Sequence, residues 1–315
     1  MARKPKGRSI SGVLVLNKSG GMSSNGALQK AKRLFYAAKA GHTGSLDPLA
    51  TGVLPLCFGD STKFSQFLLD ADKAYTSTFK LGQRTDTSDS DGEVIETISA
   101  AHVTEAQVAQ ALTAFKGEIS QVPSMFSALK KDGQPLYKLA RQGIEVERKA
   151  RQVTVYAIEL LAFRPGEVAE ADISVSCSKG TYIRSIAEDL GAALGVGAHV
   201  ATLHRTQAGP FTDTQSYTLD ALIETRGDGD PDTLDHLLLP VDAPVAQLPA
   251  LDLPDATAYY FRQGNPVMDA RAFALGDEGD MVRVFDQSGG FLGIGTLADD
   301  GRVAPKRLVA TNSGG

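Results

Sequence analysis

The chain of 315 residues has only two cysteines, Cys57 and Cys177, far apart and in no CxxC pair. That usage fits a reducing compartment and argues against a thiolate zinc site. No apolar run approaches the roughly 20 residues of a membrane span. The first residues, MARKPKGRSISGVLVLN, are basic, but their apolar part is too short for a signal-peptide core. No GxxxxGKS/T loop is present to cradle a nucleotide phosphate, and GAALGVG lacks the glycine spacing of a dinucleotide site. The five histidines show no HExxH or similar spacing. TDTSDSDGE fails as a calcium loop: aligned on Gly92, it starts at Thr87 and places Ile98 where a bidentate acid belongs. There are no internal repeats. The pattern thus predicts no metal, redox or nucleotide cofactor.

Composition is ordinary for a globular protein, at 42% apolar and 22% charged, and the length predicts two domains. The net charge of −5 disfavours a nucleic-acid partner at first sight, but the average hides a gradient. Residues 1–40 carry nine Lys/Arg and no acid, whereas residues 219–255 carry nine Asp/Glu and one Arg. A polyanion feels the basic half, not the mean. Charge alone serves equally a basic tail with an acidic linker.

The patterning predicts an α+β fold with a mixed, mainly antiparallel sheet, because strands and helices follow no regular βαβ rhythm. Gly12 to Asn17 reads as a buried strand, followed by a helix capped by Ser24 or Asn25 with Leu28, Ala31, Leu34 and Phe35 on one face. KAYTSTFKLG alternates like an edge strand. The segment 121–152 is a basic, aromatic-bearing excursion. KGTYIRSIAEDLGAAL reads as a helix burying Ile183, Ile186, Ala187, Leu190 and Leu194. Residues 219–245 read as an acidic linker region closing a first domain of 1–245. A small β-barrel is expected over 246–315.

One acid stands out. In GHTGSLDPLATGVLPLC, Asp47 is alone among glycines and followed by Pro48. Proline disfavours the α region before it, and glycines permit sharp turns, so the segment is built to hold one carboxylate at a fixed angle. A structural Asp in an Asx-type turn is the alternative reading. His42, five residues earlier, reads equally as a surface residue. Arg184, beside Tyr182, is either a solvated Arg packed along its helix or a permanent cation that keeps a buried carboxylate ionised with a lowered pKa.

GHTGSLDPLATGVLPLCFGDSTKFSQFLLDADKAY, LGQRTDTSDSDGEV, QVPSMFSALKKDGQPLYKLARQGIEVERKAR and CSKGTYIRSIAEDLG, in this order, resemble the TruB family of tRNA pseudouridine-55 synthases. The likeness runs from about residue 12 to 209, with a weaker PUA-like match over about 246–309. The resemblance implies isomerisation of one T-loop uridine of transfer RNA to pseudouridine, in the cytoplasm, without cofactor, metal or obligatory protein partner, by a monomer. It assigns Asp47 as the essential aspartate, Arg184 as its ion-pair partner and Tyr75 as the ring that stacks on the target base. His42, Tyr182 and Leu203 match residues that contact the flipped nucleotide, and Lys63 and Asp89 fall on motif positions. The sequence departs at Asn17 and Ser19, where the family more often has Asp and Pro, and at His204, where Arg is frequent. Two other readings compete. One is a tRNA-binding or folding protein with catalysis secondary or lost. The other is a hydrolytic glycosidase, for which no partner acid is evident. The short C-terminal unit favours a stand-alone enzyme over a guide-RNA-dependent one.

Overall fold

The computed structural model describes residues 7–127 and 129–310. The basic residues before Gly7 lie outside this range. Among the described residues no helix is long and apolar enough to cross a membrane.

The fold is α+β. The strands of the large sheet are β1 (Gly12–Lys18), β2 (Ala40–His42), β3 (Thr51–Phe58), β4 (Lys73–Leu81), β5 (Gly117–Gln121), β6 (Arg151–Arg164), β7 (Ala169–Cys177), β8 (Ala198–Ala208) and β9 (Tyr217–Thr218), with Phe211–Thr212 as a tenth. Their order is β9-β1-β3-β8-β4-β7-β6-β5, with β2 added to β3. Pairing is antiparallel except for β1 with β9 and β3 with β8. The packed helices include α1 (Ser24–Leu34) and α2 (Ile183–Ala193).

β1 and β3 read as continuous apolar runs because both faces are covered. Leu14, Leu16, Leu54 and Leu56 enter the main core, while Val13, Val15, Val53 and Cys57 enter a second cluster on the other face. α1 is capped by Ser23, which accepts from the Gly26 amide at 3.1 Å. Ser24, expected as the cap, is the first helical residue and has another use, described below. Helix α2 buries Ile183, Ile186, Ala187 and Leu190 as its periodicity predicts.

Two expectations change. β4 is not an edge strand: it is paired along its length with β7 on one side and β8 on the other. Alternation reports which face of a strand is buried, whereas the paired residues of its neighbours lie 88 to 135 positions further along the chain. The acidic stretch 219–245 is folded, not a loose connection. Leu219–Arg226 forms a helix, and Leu222 and Leu234 are wholly buried. Leu239 exchanges backbone hydrogen bonds of 2.8 and 3.0 Å with Val13, and Arg8 pairs with Asp235. The leucines point inward while Asp220, Glu224, Asp228, Asp230 and Asp232 stay exposed, so acid content masked a packed element.

The C-terminal unit is a curled sheet of five strands in the order Ala250–Leu253, Met281–Asp286, Phe291–Leu297, Arg302–Leu308, Val267–Met268. It docks on the first unit through fully buried Phe64, Val245 and Ile294 and through the Arg283–Asp242 ion pair at 2.9 Å. Lys63 donates to the Leu308 carbonyl at 2.9 Å, and Asp60 accepts from the Ala310 amide at 2.6 Å.

Because Leu234 sits in a closed core, Leu234→Ala is expected to cost about 2–5 kcal/mol in urea unfolding. A loss under about 1 kcal/mol, within surface-substitution range, would mean that 219–245 is a linker after all.

Candidate active site

β2 and β3 form a hairpin, His42 facing Leu56, and the segment 43–50 is its tip. Asp47 stands on that tip. Four anchors hold it. Ser24 Oγ accepts from the Leu46 amide at 2.7 Å and donates to the Leu46 carbonyl at 3.0 Å. The Gly21 amide donates to the Pro48 carbonyl at 2.9 Å. The buried Lys18 ammonium donates to the same carbonyl at 3.3 Å, and to the carbonyls of Ser19 and Met22. The Arg205 guanidinium donates to the Gly44 carbonyl at 2.8 Å. Gly44 has φ +68, a conformation that glycine adopts without strain.

Arg184 reaches this tip from the first turn of α2. Its side chain is 5% exposed, and Nη2 lies 2.9 Å from Asp47 Oδ2. Both terminal nitrogens of the guanidinium have further partners. Nη1 donates to the Thr87 carbonyl at 3.1 Å and faces Asp89 Oδ2 at 3.5 Å, and Nη2 also donates to the Phe126 carbonyl at 3.0 Å. Asp89 is itself held: Oδ1 accepts from Thr87 Oγ1 at 2.6 Å and from the Asp91 amide at 3.1 Å. The TDTSDSDGE turn therefore presents Asp89 and a carbonyl to Arg184. The basic excursion adds Phe126. Three segments distant in sequence converge on one cation.

The pKa of Asp47 moves against the expected direction. Burial is the largest cause and pushes its carboxyl above the ordinary value of 3.8. Arg184 opposes this, and the negative charge of Asp89 adds to the rise. The Asp47 side chain is 40% exposed and lines the two spaces described below, so its carboxyl is only partly shielded from water although its partner is near. Burial also raises the Tyr75 hydroxyl, which stays a neutral phenol at pH 7. Burial and then Arg205 lower His42, which is neutral there too. His42 Nδ1 is buried and has no hydrogen-bond partner among the described residues.

Two spaces meet at Asp47. The outer one, about 490 Å³, is lined by Ser23, Asn25, His42, Asp89, Arg141 and Arg184, among others. The inner one, about 100 Å³, is lined by Asp47, Tyr75, Tyr182, Ile183, Arg184 and Leu203. Tyr182 is oriented by buried Gln121, which accepts from its amide at 3.0 Å and donates to its carbonyl at 3.2 Å. The structure thus places Asp47, Arg184, Tyr75, Tyr182, Leu203, His42 and Asp89 around these joined spaces. Lys63 lines neither; it lies at the junction with the C-terminal unit, paired with Asp60 at 2.9 Å. His204 bridges Thr51 Oγ1 at 2.7 Å and Asp213 Oδ2 at 3.2 Å. No cluster of His, Cys, Asp and Glu suited to a metal occurs among the described residues.

Three family models cover this architecture in succession. "TruB family pseudouridylate synthase (N terminal domain)" matches residues 32–183, "tRNA pseudouridylate synthase B C-terminal domain" matches 184–246, and "Pseudouridine synthase II TruB, C-terminal" matches 249–309. The chain belongs to the TruB family. It is 65% identical to a tRNA pseudouridine synthase B of Saccharophagus degradans over 308 residues, covering 98% of each chain. It is 55% identical to one of Pseudomonas aeruginosa, covering 96% of this chain and 97% of that one. Among solved structures, a Cbf5–Nop10–Gar1 complex contains a similar chain, with TM-score 0.69 and 25% identity over 95% of this chain and 85% of that one. A chain of an H/ACA RNP bound to a substrate RNA containing 2'-deoxyuridine shares the fold, with TM-score 0.70 at 24% identity over 96% and 86%.

Reasoning on this TruB-family sequence missed Lys18, Ser24, Gln121 and Arg205. Each acts on backbone groups, which leave no mark in a motif. Arg184→Met removes the counter-charge from Asp47, so the carboxyl rises further. The acid limb of the single-turnover pH profile then moves to higher pH, and the plateau rate falls by about 10²-fold or more. An unmoved limb would show that Arg184 does not bear on the Asp47 charge.

Proposed function

We propose that this chain converts uridine 55, in the T-loop of transfer RNA, to pseudouridine at a base drawn out of the stack. The isomerase class follows from the family and from relatives at 65% and 55% identity that are tRNA pseudouridine synthases. The observation that carries the assignment is the Asp47–Arg184 pair at the mouth of an inner space bounded by Tyr75 and Leu203.

The reaction breaks the N1–C1′ bond, turns the uracil and joins C5 to C1′, with no group gained or lost overall. An ionised Asp47 serves either of two routes: attack on C1′, or removal of a sugar proton to give a glycal. A hydrolytic glycosidase needs a second carboxyl to protonate the leaving group. Asp89 does not fill that role, because it is tied to Arg184, Thr87 and the Asp91 amide. Here the leaving uracil stays bound, so one acid suffices.

Extruding the base costs a few kcal/mol. Stacking on the neutral Tyr75 ring returns about 1–3 kcal/mol. His42, with an unpaired buried nitrogen, gains a partner when a nucleotide enters the outer space. The N-terminus of α1, where Ser23 and Asn25 line that space, favours a phosphate, and Lys30, Lys32 and Arg33 of the same helix favour the RNA backbone. The enzyme works as a monomer in the cytoplasm, without cofactor or obligatory protein partner. A role limited to RNA binding and folding would leave the closely built Asp47–Arg184–Asp89 arrangement without purpose.

Incubation with a T-loop stem-loop transcript, without additives, is expected to yield pseudouridine at one position. Asp47→Asn is expected to abolish product while RNA binding persists. Full turnover by this variant, or free uracil as product, would refute the reading.

The raised Asp47 pKa sets two pH effects. Turnover is expected to fall with acid at a pH above 3.8, since only the carboxylate reacts. For stability the sign is opposite. A folded-state pKa above the unfolded one favours folding while the group is protonated, and that contribution is lost as pH rises through the folded value. The carboxylate is therefore a net cost at neutral pH, and Asp47→Asn should leave the melting temperature unchanged or higher. A clear drop on calorimetry would assign Asp47 a structural role instead.

A further inference from the structure

Arg205 is the largest fully buried side chain of the protein, 1% exposed. Among the described residues no carboxylate lies within ion-pairing distance of it. It lies in β8, directly opposite Tyr75 of β4 on one side and Gly52 of β3 on the other. Directly opposed residues share a face of the sheet, so Arg205 and Tyr75 stand side by side.

The guanidinium makes two hydrogen bonds to main-chain oxygens. Nε donates to the Val53 carbonyl at 2.7 Å, just after the Asp47 tip. Nη2 donates to the Gly44 carbonyl at 2.8 Å, just before it. The Arg205 charge also bears on the neighbouring Tyr75 hydroxyl, opposing the rise in pKa that burial imposes. The sheet is shaped to allow this. Gly52 has φ +98, and a Cβ there would collide with the Arg205 backbone, so only glycine lets β3 approach so closely. Burying an unpaired cation is costly unless its donors are satisfied. A planar fork of five N–H groups can serve several acceptors at once, where a Lys ammonium is a single point.

We propose that Arg205 is a positioning residue, which ties both sides of the Asp47 tip to β8 directly opposite Tyr75 and so fixes the separation of carboxylate and stacking ring. This deepens the reading of the site as one that isomerises a flipped uridine, and rests on it. The charge adds a second effect: Arg205 helps to keep His42, Lys18 and Lys73 at lowered pKa, so its positive field spans the floor of the site.

The test compares Arg205→Lys, Arg205→Met, Tyr75→Phe and the double variant Arg205→Lys/Tyr75→Phe with the wild type. Three quantities are read: single-turnover rate on the T-loop transcript, transcript affinity, and amide hydrogen exchange of residues 43–53 without RNA. Arg205→Lys is expected to lower the rate by about 10–100-fold, with affinity within about threefold. Tyr75→Phe is expected to lower it comparably, and the double variant no further than the worse single one. Exchange over 43–53 is expected to speed up in both Arg205 variants. An Arg205→Lys enzyme with wild-type rate and wild-type exchange overturns the proposal. Multiplying losses in the double variant overturn the link through Tyr75. Should neither Arg205 variant fold, the wild-type exchange map decides: amides of 43–53 that exchange as fast as an unanchored loop overturn the proposal. Exchange is measured without substrate, so a wild type that makes no pseudouridine would sink the functional reading while leaving the clamp to be judged by exchange.

Discussion

The Arg184–Asp47 contact is the constraint around which the rest of the molecule is arranged. A carboxylate partly shielded from water is disfavoured as an anion, and its raised pKa shows that burial outweighs the neighbouring cation. Arg184 limits that rise without cancelling it. Its terminal nitrogens also hold Thr87, Phe126 and Asp89, so it cannot swing away from the acid without breaking those contacts. The acid is thus held in a state that is chemically useful and thermodynamically uncomfortable.

Around this pair the protein places cations and carbonyls in an unusual division of labour. Lys18, Lys73 and Arg205 are buried, and each is satisfied mainly by main-chain oxygens. Carbonyl acceptors anchor the loop and neighbouring strands without adding negative charge near Asp47. A carboxylate in the same places would push the Asp47 pKa still higher, as Asp89 already does. The floor of the site therefore stays positive and rigid.

The regions away from the cavity are bound into the same body. The acidic segment that follows β9 packs against β1, and the C-terminal unit docks through Phe64 and Lys63 at the end of β3. That strand begins at the Asp47 tip. The distribution of charge follows from the same layout: the acids from Asp220 to Asp232 lie outward, and α1, with its basic residues, borders the cavity.

Much of this was legible in the chain. The lone acid between glycines and proline and the helical period over 183–193 are local properties, and local sterics and burial settle them. Strand neighbours were not legible, which is why β4 read as an edge. Nor was the order within 219–245, where two inward leucines outweigh a surface of acids. Tertiary structure alone decided which groups share Arg184, that the pKa of Asp47 rises, and that Lys18 and Arg205 hold the loop. The reason is physical. Every residue carries a carbonyl, so a side chain that binds main-chain oxygen leaves no letter to read, and desolvation belongs to a cavity that exists only once distant segments have met.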